Sequence, residues 1–222
     1  CVRLSPDGTK IAYIAPHKGV MNIWVAPRDK PNEAQVITKE SVRGLMSFSW
    51  AYTNDKILYP KDKEGDENWH IHSVDITTQK DKDLTPYGAV AARISKVSSS
   101  FPNTVLLSIN DRIPERHDTY KVDILTGERE LVIENNEFVG FVFDDQYTLR
   151  FAMRLLADGS SQLDRYKEGE FTKFDHVPYE DVLGTGPLGF NKAGDKLYTL
   201  DSRGRDTTGL YLVDSETGQK EL

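Results

Sequence analysis

With 222 residues, 38% of them hydrophobic and 28% charged, the chain can bury a sizeable core, and no stretch approaches the roughly 18 consecutive apolar residues of a membrane-spanning helix. Its net charge of −7 is spread over many loops rather than gathered with a basic face, which argues against nucleic acid as a partner. The single cysteine, Cys1, excludes an internal disulfide and a multi-cysteine zinc site and fits either a cytoplasmic or a periplasmic setting.

In chain order, the first element is a turn and strand, Leu4-Ser5-Pro6-Asp7-Gly8-Thr9-Lys10-Ile11-Ala12-Tyr13. Pro, Asp and Gly supply the turn dihedrals, and the apolar run that follows reads as a strand. The cassette returns at Trp50 to Tyr59 and at Phe190 to Thr199, with weaker copies from Phe101 to Leu106 and from Phe143 to Leu149. The first apolar residues after each turn (Ile11, Ile57, Val105, Leu149, Leu197) lie 44 to 48 residues apart. A second element follows the three main cassettes and the weaker copy at Phe101: Asn22 to Ala26, Trp69 to Asp75, Thr119 to Asp123 and Gly209 to Asp214. Three of these end in Val-Asp, after which Thr126-Gly127 or Thr217-Gly218 turns the chain into a last strand such as Glu130 to Ile133.

Four short strands per unit, repeated with a period in the forties, predict an all-β fold: a β-propeller of four-stranded antiparallel blades. The expected blades are about 1–45, 46–88, 89–135, 136–182 and 183–222, forming one propeller domain over 1–222. The repeat order disfavours a β-sandwich, which has no reason to recur at fixed spacing. Five blades and a first strand clipped by the start of the chain lead us to expect a piece of a larger ring, since an open ring exposes blade faces.

Candidate sites are weighed against plainer roles. His70 and His72 share one face of a predicted strand and, with Asp66 or Glu67, could ligate a metal, but no third ligand stands at convincing spacing, so no metal and no cofactor is expected. The acidic loop Lys61 to Asn68 departs from the calcium-loop pattern, with Ser73 where a bidentate Glu is required, and reads as a solvated hairpin loop. In Asn110 to Asp118, Arg112 and Arg116 are substrate-binding candidates, because a guanidinium can grip a peptide carboxylate with two donors. The plainer alternative is that they pair with Asp111 and Asp118 inside the blade, as Asp201, Arg203, Arg205 and Asp206 could in the last one. Asp158-Gly159-Ser160-Ser161 reads as a hairpin tip. Trp24, Trp50, Trp69 and Tyr13, Tyr59, Tyr120, Tyr198 and Tyr211 read as packing between blades.

Leu4 to Ala15, Gly65 to His70, Asp83-Leu84-Thr85-Pro86, Asn110 to Asp118 and Asp201 to Thr207 carry a resemblance that spans nearly the whole chain. Together they resemble the propeller of the prolyl oligopeptidase family of serine peptidases, in particular its acylaminoacyl-peptidase-like bacterial branch. The resemblance implies a seven- or eight-bladed propeller that caps an α/β-hydrolase domain and filters the peptides reaching its Ser-Asp-His triad. No Gly-x-Ser-x-Gly nucleophile elbow occurs in the sequence, so catalytic residues are expected on a separate hydrolase segment, and the expected partners are a peptide substrate and that hydrolase domain. Two alternatives stay open: a stand-alone TolB-like propeller acting as a protein-interaction module, and a propeller enzyme with its site in the central channel.

Overall fold

A computed structural model describes residues 1–221 of the chain. It contains five four-stranded antiparallel sheets, each built from consecutive strands paired in sequence order. They are β1 to β4 (Val2–Leu4, Lys10–His17, Val20–Pro27, Gln35–Val36), β5 to β8 (Ser49–Trp50, Lys56–Lys61, His70–Asp75, Asp81–Asp83) and β9 to β12 (Ala92–Val97, Thr104–Ile113, Arg116–Asp123, Arg129–Ile133). They continue as β13 to β16 (Gly140–Phe143, Leu149–Leu155, Ser161–Lys167, Glu170–Val177) and β17 to β20 (Gly186–Phe190, Lys196–Asp201, Gly209–Asp214, Lys220–Glu221). Among the described residues, helix is limited to two three-residue 3-10 turns, Pro31–Glu33 and Tyr179–Asp181. The chain forms two compact units, Cys1–Glu134 with the first three sheets and Asn135–Leu222 with the last two.

In the first unit the stacking of sheets is visible in the side-chain period. Along β6 and β7, Ile57, Tyr59 and Val74 join a core with Ala12, Ile23 and Ile37 of the first sheet. Leu58 and Ile71, on the opposite face, join a core with Val105, Leu107 and Val122 of the third. The middle sheet is therefore apolar on both faces, and Ile57-Leu58-Tyr59 reads as a continuous buried run instead of an alternation. In the second unit, Phe151 and Leu163 pack against Phe190, Leu197 and Val213 in the same way. Polar latches accompany the packing. Trp50 Nε1 donates to the Arg3 carbonyl at 3.3 Å, Lys82 Nζ to the Leu125 carbonyl at 2.8 Å, and Arg150 to the Gly194 carbonyl at 2.7 Å.

The turns repeat because one piece of chemistry repeats. Asp75 Oδ1 accepts from the backbone N–H groups of Thr77 and Thr78 at 3.0 and 2.8 Å, Asp123 does the same for Leu125 and Thr126, and Asp214 for Glu216 and Thr217. This aspartate is the one that follows the buried Val74, Val122 and Val213. Four residues beyond it the chain must adopt a left-handed conformation, filled by Gly127 (φ 78°), Gly218 (φ 74°) and Gln79 (φ 56°). At the first cassette, Asp7 accepts from Ser5 Oγ at 2.6 Å and from the Thr9 N–H and hydroxyl, and these bonds, the one from Ser5 foremost, hold its carboxyl down at about 2.

In the last sheet Tyr198 is 41% exposed, on the face of β18 opposite the buried Leu197. It stands two residues after Lys196, as Leu58 does after Lys56, and Leu58 lies on the face that packs against the following sheet. In the second sheet the inner strand is short: only Ser49–Trp50 pairs, Leu45 and Phe48 are buried without a ladder, and Met46 is exposed.

Because a Cβ on Gly218 meets only ordinary contacts with Phe174, Gly218→Ala isolates the cost of the left-handed backbone. It should lower stability by about 1 kcal/mol, seen as a fall of roughly 3 °C in the melting temperature.

Candidate functional site

In every sheet the second strand passes to the third at one end, here termed the upper end, and the fourth strand leaves from that same end. The opposite, lower end carries the Asp-capped turns. The segments Gly65–His70, Asn110–Asp118 and Asp201–Thr207 are second-to-third connections, and Asp83–Pro86 is a fourth-strand exit, so all four lie at upper ends.

In the second sheet the acidic loop is organised by two aspartates. Asp62 is buried and paired with Arg43 at 2.9 Å, correcting the reading of this loop as simply solvated; the Arg43 guanidinium also lies over Trp69, 5.3 Å from the ring centroid. Gly65, beside that guanidinium, takes a left-handed φ of 92°, a conformation that favours glycine. Asp66 caps the turn by accepting from the N–H groups of Lys63 and Asn68. His70 and His72 do share a face of β7, where each engages an aspartate of β8: His70 Nδ1 to Asp83 at 3.0 Å and His72 Nδ1 to Asp81 at 2.8 Å. Tyr59 donates to Asp81 at 2.7 Å and stacks on His72; burial, reinforced by Asp81, pushes its phenol well above its ordinary value.

A repeat that sequence reasoning missed ties these ends down. Thr38 Oγ1 accepts from the N–H of Ile23 at 2.9 Å, and Thr85 Oγ1 accepts from that of Ile71 at 3.0 Å. Both threonines follow a buried aliphatic residue, Ile37 or Leu84, at a spacing of 47, and that recurrence was available to find them.

In the third sheet Arg112 grips Asp118 with two hydrogen bonds, Nε to Oδ2 at 2.6 Å and Nη2 to Oδ1 at 2.7 Å. Asp118 is buried, and its hydrogen bond raises the Arg112 pKa further. Arg116 starts β11, half-buried, with Nη1 3.5 Å from the Glu115 carbonyl. Asn110 joins this hairpin to the exit of the preceding sheet, accepting from the Ala91 N–H at 2.6 Å and donating to the Pro114 carbonyl at 2.8 Å. Asp111 binds Arg129 at 2.7 Å, and Arg129 lies over both Tyr87 and Tyr120, an arrangement that nothing in the sequence signals. Burial and then Arg93 lower the His117 pKa below its ordinary value, so this imidazole is neutral at pH 7. In the same unit a groove of about 400 Å³ is lined by Phe48, Pro60, Trp69, Ile71, Arg93 and Ile94, among others, a surface with apolar walls and a guanidinium.

In the fifth sheet Arg203 uses all five of its N–H donors. Nε and Nη2 bind Asp201 at 2.9 and 2.7 Å, Nη1 and Nη2 bind Asp175 at 2.9 Å, and Nη1 also reaches the His176 carbonyl. Lys220 adds a second cation to Asp201, and Arg205 donates to Tyr211 at 3.0 Å. In the fourth sheet Ser160, His176 and Asp158 meet, but not as a catalytic triad. Ser160 Oγ donates to Asp158 at 2.5 Å while His176 Nε2 lies 3.1 Å from Ser160, so the carboxylate holds the serine and not the imidazole, and the serine is buried.

No protein-family model matches the chain. It is 41% identical to the dipeptidyl aminopeptidase BIII of Pseudoxanthomonas mexicana over 223 residues, which cover 100% of this chain and 32% of that protein. Among solved structures, its fold is that of the β-propeller domain of the trilobed protease from Pyrococcus furiosus (TM-score 0.64, 18% identity, covering 100% of this chain and 67% of the other). It also superposes on a prolyl endopeptidase (TM-score 0.66, 11% identity, covering 100% and 34%). The chain has a β-propeller fold and is related along its whole length to a dipeptidyl aminopeptidase. This propeller spans about a third of the length of the aminopeptidase it matches.

Arg203, foremost, and then Lys220 hold the Asp201 carboxyl far below the usual range. A depressed carboxylate stabilises the fold above its unfolded value of about 4, and that contribution is lost as the pH falls through the folded value. Thermal melts from about pH 7 to pH 2.5 should therefore show a declining midpoint whose acid slope is smaller in Asp201→Asn.

Proposed function

We propose that this propeller is the non-catalytic part of a serine-type peptidase, and that it gates and helps dock peptide substrates for a separate α/β-hydrolase domain of the same protein. What carries the reading is the identity to a dipeptidyl aminopeptidase along the whole chain, combined with the placement of the family-like segments at upper ends. The upper ends of the first unit supply what docking needs: the groove walled by Trp69, Pro60 and Ile94 for apolar side chains, and the Arg93 guanidinium for carboxylates. The hairpin of Arg112 and Arg116 is fastened beside it through Asn110 and Ala91. The two arginines divide the work. Arg112, spent on Asp118, is a positioning residue; Arg116 is the substrate-binding candidate.

The reading frame encoding residues 1–222 should also encode a Gly-x-Ser-x-Gly segment, and the full-length protein should release unblocked dipeptides from chromogenic anilides. In that protein Ser160→Ala leaves turnover unchanged. Arg116→Gln should raise KM about 3- to 10-fold at nearly constant kcat, the effect of losing one charge-assisted hydrogen bond at a partly solvated site. Arg112→Gln should instead lower the melting temperature, because it leaves Asp118 buried without its partner. A frame that stops within one or two further blades, without a nucleophile elbow, would favour a TolB-like interaction module instead.

A further inference from the structure

A cavity of about 230 Å³ in the second compact unit takes no part in this reading. It opens at the upper ends of the fourth and fifth sheets, and its walls include Met153, Leu163, Val177, Gly186, Pro187 and Thr199. Arg154 and Asp175 also border it, but both are committed elsewhere: Arg154 to Glu137 and Asp164, Asp175 to Arg203. A charged occupant would thus leave water without an available counter-charge, and the cavity favours a neutral one. Thr199 supplies the second observation. It lies on the inward face of β18 with Leu197 and Asp201, is 7% exposed, and its Oγ1 has no hydrogen-bond partner within the protein. Buried hydroxyls in proteins are nearly always bonded, and the nearby Thr185 and Ser202 hydroxyls are.

We propose that this cavity is a binding pocket for a neutral aromatic ring bearing one hydrogen-bonding group, a phenol in its simplest form, with Thr199 engaging that group. The volume lies below the roughly 300–1,000 Å³ of sites for drug-sized ligands, so it suits a single ring. The Met153 thioether is a favourable neighbour for an aromatic ring. The pocket shares no residue with the groove of the first unit and does not depend on the peptidase reading.

Pro187 provides a way to close the pocket. It pairs with Thr199 in the ladder and so shares its face, whereas Gly186 pairs with Leu200 on the other, and a larger side chain in Pro187→Phe fills the space from its wall. Binding of p-cresol and of toluene to the chain, followed by amide chemical shifts, tests the proposal. p-Cresol should saturate, and should bind about 5- to 10-fold more tightly than toluene, the worth of one hydrogen bond. Thr199→Val should bring the two ligands to equal affinity, and Pro187→Phe should abolish binding of both while the protein still melts cooperatively. Equal affinity of the two ligands for the unmodified protein, or p-cresol binding undiminished by Pro187→Phe, would overturn the proposal. A blocked Ala-Tyr-Ala peptide separates the sources of the ring: tighter binding than p-cresol assigns it to a peptide side chain, weaker binding to a free small molecule.

Discussion

A four-stranded sheet that is apolar on both faces cannot stand alone in water, and most of what this chain does follows from that constraint. The middle sheet of the first unit shows it directly: Ile57 and Tyr59 face one neighbour, Leu58 and Ile71 the other, and all four are nearly inaccessible. Burying apolar area of this kind yields about 25 cal/mol per Å². Each large side chain therefore contributes a few kcal/mol, but only if the next sheet is in place. The period of the sequence is the physical consequence, because every unit has to present the same faces to its neighbours.

With both faces consumed by stacking, only the ends of the strands are left for chemistry. The two ends are built differently. At lower ends a single aspartate accepts two or three local hydrogen bonds and closes a short hairpin, a device that needs no partner outside the turn. At upper ends the fourth-strand exits are longer, and charges pair over greater distances in sequence, as Arg43 with Asp62 and Arg203 with Asp175. Lower ends can thus look alike in many propellers, whereas upper ends carry what is particular to this one.

That asymmetry explains how much was legible beforehand. The turns could be read residue by residue because the Asp, the Thr and the left-handed Gly stand within five positions of each other, and the strand faces followed from alternation. The site was less legible for a related reason. Arg112 and Asp118 are close enough in sequence for their pairing to be weighed as an alternative, but Arg43 is 19 residues from the Asp62 it neutralises, and Thr199 is marked only by what its hydroxyl fails to meet. Pairings set by the stacking of sheets leave no local pattern in the sequence.

The same consideration separates the two arginines of the third sheet. A guanidinium that already gives two short hydrogen bonds to a buried carboxylate cannot turn to a ligand without leaving a charge unpaired in the interior, and that cost exceeds what a solvated peptide carboxylate returns. Arg112 is in that position. Its role is to hold the hairpin at a fixed height above the sheet, so that whatever Arg116 contacts is met by a side chain mounted on a rigid support. Two arginines four residues apart, alike in type, are therefore told apart by the burial of a single aspartate, which commits Arg112 to shaping the loop.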